Sequence, residues 1–115
     1  MSSEQPPLVA IIMASMNHER FVVEAVESVF AQGYPNLRVV ICDDASTDSN
    51  YAKLQELASR FPIVLLKNEV RQGIVKTLNR CYAQCSDADY FYALASDDTM
   101  QLGMIKACIA EFSHW

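Results

Sequence analysis

A fourfold alternation constrains this chain more than anything else in it. Short apolar runs at residues 8–14, 37–42, 63–66 and 90–95, broken only by Arg38, take turns with segments whose apolar residues recur every three to four positions. A run of four to eight apolar residues bounded by polar ones reads as a strand covered on both faces, and the longer spacing reads as a helix with one buried side.

The helical segments are explicit in their spacing. The first spans residues 19–32 and presents Phe21, Val22, Ala25, Val26, Val29 and Phe30, with Gly33 where it would stop. The second carries Leu54, Leu57, Ala58 and Phe61, has Ser46 or Asp48 as its cap, and is closed by Pro62. Gly73 opens the third, whose predicted buried face is Ile74, Leu78, Cys81, Tyr82 and Cys85. The fourth offers Met104, Ile105, Cys108, Ile109 and Phe112. The order βαβαβαβα predicts a three-layer α/β sandwich with a mostly parallel sheet.

At 115 residues the chain is long enough for one core and too short for two ordinary domains. Residues 1–7 read as a flexible tail and residues 8–115 as one domain. The formal charge of −5 disfavours nucleic acid and anionic membrane surfaces as partners, because both demand clustered Lys and Arg. Cys42, Cys81, Cys85 and Cys108 have no paired ligand spacing and fall inside predicted elements, so they read as reduced core residues. No apolar run reaches the ~20 residues of a membrane span, and the polar start is not a signal peptide, so the expected location is cytoplasmic, with membrane association open to a longer parent protein.

In an open parallel sheet, ligands bind beyond the carboxyl ends of the strands. Asp43-Asp44 follows the second run and Asp97-Asp98 the fourth, which sets four carboxylates along that rim. Each pair taken alone also suits a turn or a helix cap. Two pairs on one rim favour a metal-dependent site, since like charges gather where a cation compensates them. Mg²⁺ and Mn²⁺ take one or two carboxylates and complete their shell with water and phosphate oxygens. There is no GxGxxG or GxxxxGK[ST] loop to cradle phosphates, so charge neutralisation would fall to the metal.

Three segments carry a specific resemblance. LVAIIMASMN at 8–17 looks like the opening strand and Asn-containing loop of family 2 glycosyltransferases, EAVESVFAQGYPN at 24–36 like their first helix and its exit, and DDASTD at 43–48 like the acidic loop after their second strand. Residues 68–73 and Asn79 follow the later pattern, and Ser96-Asp97-Asp98 stands in the place of their metal-binding DxD-type motif.

The resemblance implies the Rossmann-like N-terminal half of a GT-A fold that binds a nucleotide-diphosphate sugar, most simply a UDP-sugar. In it, Asp44 would accept the imide hydrogen of uracil with Asp43 supporting it. Ala14, Ser15 and Met16 would face the base through backbone groups, in one donor-binding loop with Asn17. Asp97 would lie by the ribose or diphosphate, Asp98 would ligate Mn²⁺ or Mg²⁺, and Arg71 or Lys76 would approach the phosphates.

Two positions depart from the family pattern. Met16 replaces a frequent aromatic residue before the Asn, and Leu78 replaces a frequent Arg before Asn79. A complete fold of this kind is about twice as long, and its second half holds the acceptor site and the general base. No catalytic residue is assigned to this chain: His18 reads as a solvated or capping residue, and His114 carries no role. The acceptor, a glycan, lipid or protein, stays open. An incomplete sheet also predicts self-association through its open edge.

The alternatives are a receiver-like signalling domain or a non-catalytic nucleotide-binding domain. Receivers also bind Mg²⁺ at an acidic pair, but that pair follows their first strand, where this chain has Ala14-Ser15.

Overall fold

The computed structural model describes residues 6–112. The elements are β1 (Val9–Ser15), α1 (Val22–Phe30), β2 (Leu37–Asp44), α2 (Asn50–Arg60), β3 (Ile63–Asn68), α3 (Ile74–Ala83), β4 (Tyr90–Ala93) and α4 (Met104–Phe112). The expected βαβαβαβα order holds, and the four strands of the sheet are all parallel in the order β3-β2-β1-β4.

Strand alternation splits the core in two. Val9, Ile11 and Met13 of β1, with Val39 and Ile41 of β2, face α1, α2 and α4, where Val22, Ala25, Val26, Val29, Leu54, Leu57 and Ile105 close over them. Ala10, Ile12, Val40 and Cys42 point the other way and meet Leu78 and Cys81 of α3 and Cys85 of the turn after it. The helices therefore divide three and one. Each fully buried Val or Leu contributes about 1.5–3 kcal/mol relative to exposure, so the three-helix face holds most of the stability. Truncating Leu54, wholly buried beside Leu57, would cost about 2–5 kcal/mol.

Boundaries differ from the sequence expectation in ways that bear on function. β2 extends through Asp43 and Asp44, which pair with Lys67 and Asn68 of a longer β3, while β4 stops at Ala93. The first acidic pair is thus held by a ladder and not by a loop. On α3, Ile74 and Tyr82 are exposed and Thr77 is buried. A lone helix over two strands buries a narrow stripe: Ile74 overhangs an open cleft, and Tyr82 packs on Phe91 at the sheet edge, ring centroids 4.7 Å apart.

The α2 N-cap is Ser49, without a side-chain cap bond, and Asp48 Oδ1 takes the Asn50 N–H at 2.8 Å instead. Pro6 and Pro7, placed in the tail by sequence, are tied down by Asn36 Nδ2 and Tyr34 Oη, which donate to their carbonyls at 3.0 and 2.6 Å. The rest of that tail, His114 and Trp115 lie outside the described residues, as does the side chain of Phe112. Cys42, Cys81 and Cys85 are buried free thiols, as expected, whereas Cys108, expected in the core with them, is a free thiol only partly buried on α4; burial pushes Cys81 up to about 12.

Strand order separates the fold from the receiver alternative. A receiver-type sheet runs 2-1-3-4-5, with β1 between β2 and β3, whereas here β1 lies between β2 and β4. The chain works outward from β1 through β2 to β3, then crosses back to the far side of β1. That reversal opens a crevice at the carboxyl ends of β1 and β4.

Candidate functional site

Four loops meet at this crevice, those after β1, β2, β3 and β4, and polar side chains join them. Asp43 is fully buried. It accepts the Ser46 N–H at 3.0 Å, the Ser46 hydroxyl at 2.6 Å and the Asn50 amide at 2.9 Å, and Asn50 Nδ2 also donates to Ser15 Oγ at 2.8 Å. Ala45 turns the chain with φ 57°, a left-handed conformation that costs a non-glycine residue about 1 kcal/mol. Asn17, at φ 54°, takes the backbone N–H groups of Thr47 and Asp48 on its Oδ1. Asn tolerates that conformation because its side chain bonds locally. Asp43 and Asn17 therefore brace the β1–α1 and β2–α2 loops, and neither lines the cleft.

Asp44 is only 4% exposed, yet one side of it reaches the cleft. Its Oδ1 accepts Asn68 Nδ2 at 2.9 Å and the Gln72 N–H at 2.8 Å, and its Oδ2 accepts the Gly73 N–H at 3.0 Å. Burial pushes this carboxyl up, but the three donors and the nearby charge of Arg71 together outweigh it and hold the group below its ordinary 3.8. Each carboxylate oxygen has two lone pairs, so Oδ1 is saturated and Oδ2 retains one acceptor position.

Ala14, Ser15, Met16, His18, Asp44, Arg71, Gly73 and Ile74 line a hollow of about 240 Å³. It adjoins a second of about 210 Å³ that shares Ala14, His18 and Ile74 and continues to Leu78, Ala95 and Ser96. One groove thus runs from the Asp44 carboxylate across the end of β1 to the loop after β4. Of the residues expected at the site, Ala14, Ser15, Met16, Asp44 and Arg71 come together in it. Lys76 is exposed on α3 and does not line it.

Asp97 and Asp98 are exposed on the loop beyond β4, next to the end of the groove at Ser96. His18 spans the gap: its Nδ1 is 2.6 Å from the buried Ser96 Oγ, and its Nε2 is 3.9 Å from Asp97 Oδ2, an ion pair only when the imidazole is protonated. Asp98 Oδ1 accepts the Thr99 N–H. Among the described residues no three His, Cys, Asp or Glu side chains cluster into a cage. An exposed carboxylate pair is nonetheless the donor set that Mg²⁺ or Mn²⁺ uses when phosphate oxygens and water fill the remaining positions, so the residues fit such an ion.

Residues 10–114 match the protein family described as Glycosyl transferase family 2. The chain belongs to that family. It is 34% identical over 106 residues to a chondroitin synthase of Escherichia coli, which covers 92% of this chain and 15% of that protein. Among solved structures, S. aureus TarS 1-349 in complex with UDP-GlcNAc superimposes with a TM-score of 0.84 at 22% identity, over 93% of this chain and 31% of that one. The mannosyltransferase PcManGT of Pyrobaculum calidifontis, in complex with GDP-Man and Mn²⁺, gives 0.84 at 21% identity, over 92% and 32%. These likenesses establish the GT-A type of fold. This family 2 chain spans about a third or less of the length of the relatives it matches.

Three polar residues lie outside the sequence expectation, His18 in the wall of the groove and Asn50 and Thr77 behind it. His18, expected as a solvated or capping residue, joins the two rim loops. Asn50 and Thr77 are buried polar residues at helix starts. Thr77 stands outside the face expected for α3 and accepts from Asn68 Nδ2, as a buried hydroxyl needs a partner.

Proposed function

We propose that this chain forms the donor half of an enzyme that transfers a sugar, with inversion, from a nucleoside-diphosphate sugar to a glycan, lipid or protein acceptor. UDP-sugars are the donors it suits best. The observation that carries the proposal is Asp44: a buried carboxylate, kept ionised by three donors, with one acceptor position left on the wall of a groove at the sheet's switch point. Such a group discriminates for a ring N–H, because a base without that donor leaves a buried acceptor unpaired.

In this arrangement Ala14 and Met16 pack the base, Met16 through a polarisable thioether in place of an aromatic face. Arg71 lies at the Asp44 end of the groove, positioned for ribose or phosphate oxygens. Asp97 and Asp98 stand at the opposite end, where the diphosphate would leave. A bound Mn²⁺ or Mg²⁺ held by Asp98 would supply Lewis-acid stabilisation of the departing nucleotide. Acceptor binding and base catalysis fall to the part of the relatives' length that this chain does not span, so donor binding is its share of the reaction. The mannosyltransferase solved with GDP-Man and Mn²⁺ supports a metal-assisted donor site in this fold, and the TarS structure with UDP-GlcNAc supports a UDP-sugar as donor.

Self-association belongs to the same proposal. β4 is an edge of the described sheet and borders a separate apolar cleft of about 150 Å³ against α4, with Tyr90, Tyr92, Met100 and Ile109 in its walls. That cleft has no convergent charged groups, so it is read as a packing surface and not a reaction site.

Calorimetric titration of UDP into the chain tests the proposal, run with Mn²⁺ and again with EDTA. Binding that needs metal, and that Asp44→Ala and Asp98→Ala each abolish, supports it. Binding indifferent to Asp44→Ala overturns the base site, and binding indifferent to both EDTA and Asp98→Ala overturns the metal's role.

A further inference from the structure

We propose that Arg80 is a positioning residue of the donor site, acting through Asn68 to set the orientation of the Asp44 carboxylate. The inference rests on the base-binding role given to Asp44 above. Asn68 ends β3 at 7% exposure, and its amide faces two opposite demands. Arg80 Nη1, which only donates, lies 2.7 Å from Asn68 Oδ1. Asp44 Oδ1, which as a carboxylate only accepts, lies 2.9 Å from Asn68 Nδ2, and Thr77 Oγ1 receives the second amide hydrogen at 3.1 Å.

An asparagine amide has two orientations of nearly equal shape. Flipping this one would set its oxygen against the carboxylate and its NH₂ against the guanidinium, two repulsive pairs in a buried place where polar groups need partners. Arg80 thus selects the orientation that donates to Asp44. The guanidinium is itself anchored, since Nη1 also donates to the Lys67 carbonyl at 2.9 Å. Cation, amide and carboxylate form one chain in which each link polarises the next. Arg80 does not line the groove, so its influence on a ligand passes through Asp44.

Around Asp44 the charged and titratable groups are Arg71 on the β3–α3 loop, Arg80 on α3, Cys42 and Asp43 on its own strand, and His18 across the groove. A relay through Asn68 and a through-space charge effect make different predictions. The test is the Asp44 carboxyl titration followed by carbon NMR on the ligand-free chain, in wild type, Arg80→Met, Asn68→Ala and the double variant. Arg80→Met keeps the aliphatic stem of an exposed side chain, and thermal unfolding confirms that the fold survives.

The expected result is that Arg80→Met raises the Asp44 midpoint but adds nothing in the Asn68→Ala background. UDP affinity then falls about three- to tenfold in Arg80→Met, the worth of one hydrogen bond, and the loss vanishes when Asp44 is already Asn. An unmoved midpoint in Arg80→Met, or an equal further rise in the double variant, overturns the relay. If wild type fails to bind UDP, the base-binding role fails alone, and the ligand-free titration still decides the relay.

Discussion

Gly73 reaches Asp44 from a backbone conformation that belongs to glycine: its N–H donates to Asp44 Oδ2 at 3.0 Å while its φ and ψ are 90° and 165°. An added Cβ would meet nothing within 4 Å, so packing does not require glycine here. The backbone does, because that region is essentially closed to L side chains. Gly73→Ala should cost about 1–3 kcal/mol of strain or rotate the peptide and withdraw the N–H from Asp44. Urea unfolding reads the first outcome and UDP titration the second; a variant unchanged in both would show that the contact is dispensable.

The depressed titration of Asp44 links stability to pH with a definite sign. A carboxyl below its ordinary 3.8 is ionised in the folded protein while the unfolded chain still holds the proton, so its contribution is present above that value and lost as pH falls through the folded one. Asp44→Asn should therefore be less stable than wild type at pH 7, by about 1–3 kcal/mol for donors left badly paired. The gap should narrow below pH 4. Urea midpoints at pH 7 and at pH 3 measure it, and a constant gap would mean that the ionised form is not what the fold uses.

Asn50 lies beside the buried Asp43 and donates to both it and Ser15. Asn50→Asp replaces that donor by a second carboxylate against a fully buried first one. It should destabilise by about 3–5 kcal/mol, more than Asn50→Ala, because it leaves uncompensated buried charge. Like charges raise a carboxyl's titration point, so the deficit should be largest at neutral pH and shrink on acidification. Differential scanning calorimetry across pH 4–8 checks the order and the trend, and an Asp variant no worse than Ala would refute the electrostatic account.

Edge pairing through β4 predicts concentration-dependent association. Sedimentation velocity should show a dimer or larger species. Placing a lysine at Phe91, 37% exposed on that strand, should shift the population towards monomer, since inward or edge charge blocks strand addition. A clean wild-type monomer at high concentration would dispose of the edge as an interface.

Much of the fold was legible because period and burial are linked. Runs such as Val39-Val40-Ile41-Cys42 are apolar at every position, and only a strand covered on both faces buries every position. The spacing of Val22, Ala25, Val26 and Val29 admits one buried helical face, and that face is the one found. α3 is less legible: periodicity marks a face but does not count the partners available to cover it, and with two strands beneath it Ile74 and Tyr82 are left outside.

For the site, residue order alone marks the rim that holds the polar groups, since acidic residues that follow parallel strands share one rim whatever the details. Residue order and spacing do not separate the four carboxylates; only the family resemblance gives them different expected parts. Asp43 and Asp44 are adjacent and chemically identical, yet strand alternation turns Asp43 into a bracket of Ser46 and Asn50 and Asp44 towards Asn68, Gly73 and the groove. Which oxygen accepts from which donor depends on residues 24 to 29 positions away, brought close by the β2–β3 register and the α3 N-terminus. Local spacing carries no information at that range. Only the folded chain, by directing three donors at Asp44, decides that this carboxylate keeps one open acceptor position beside the groove.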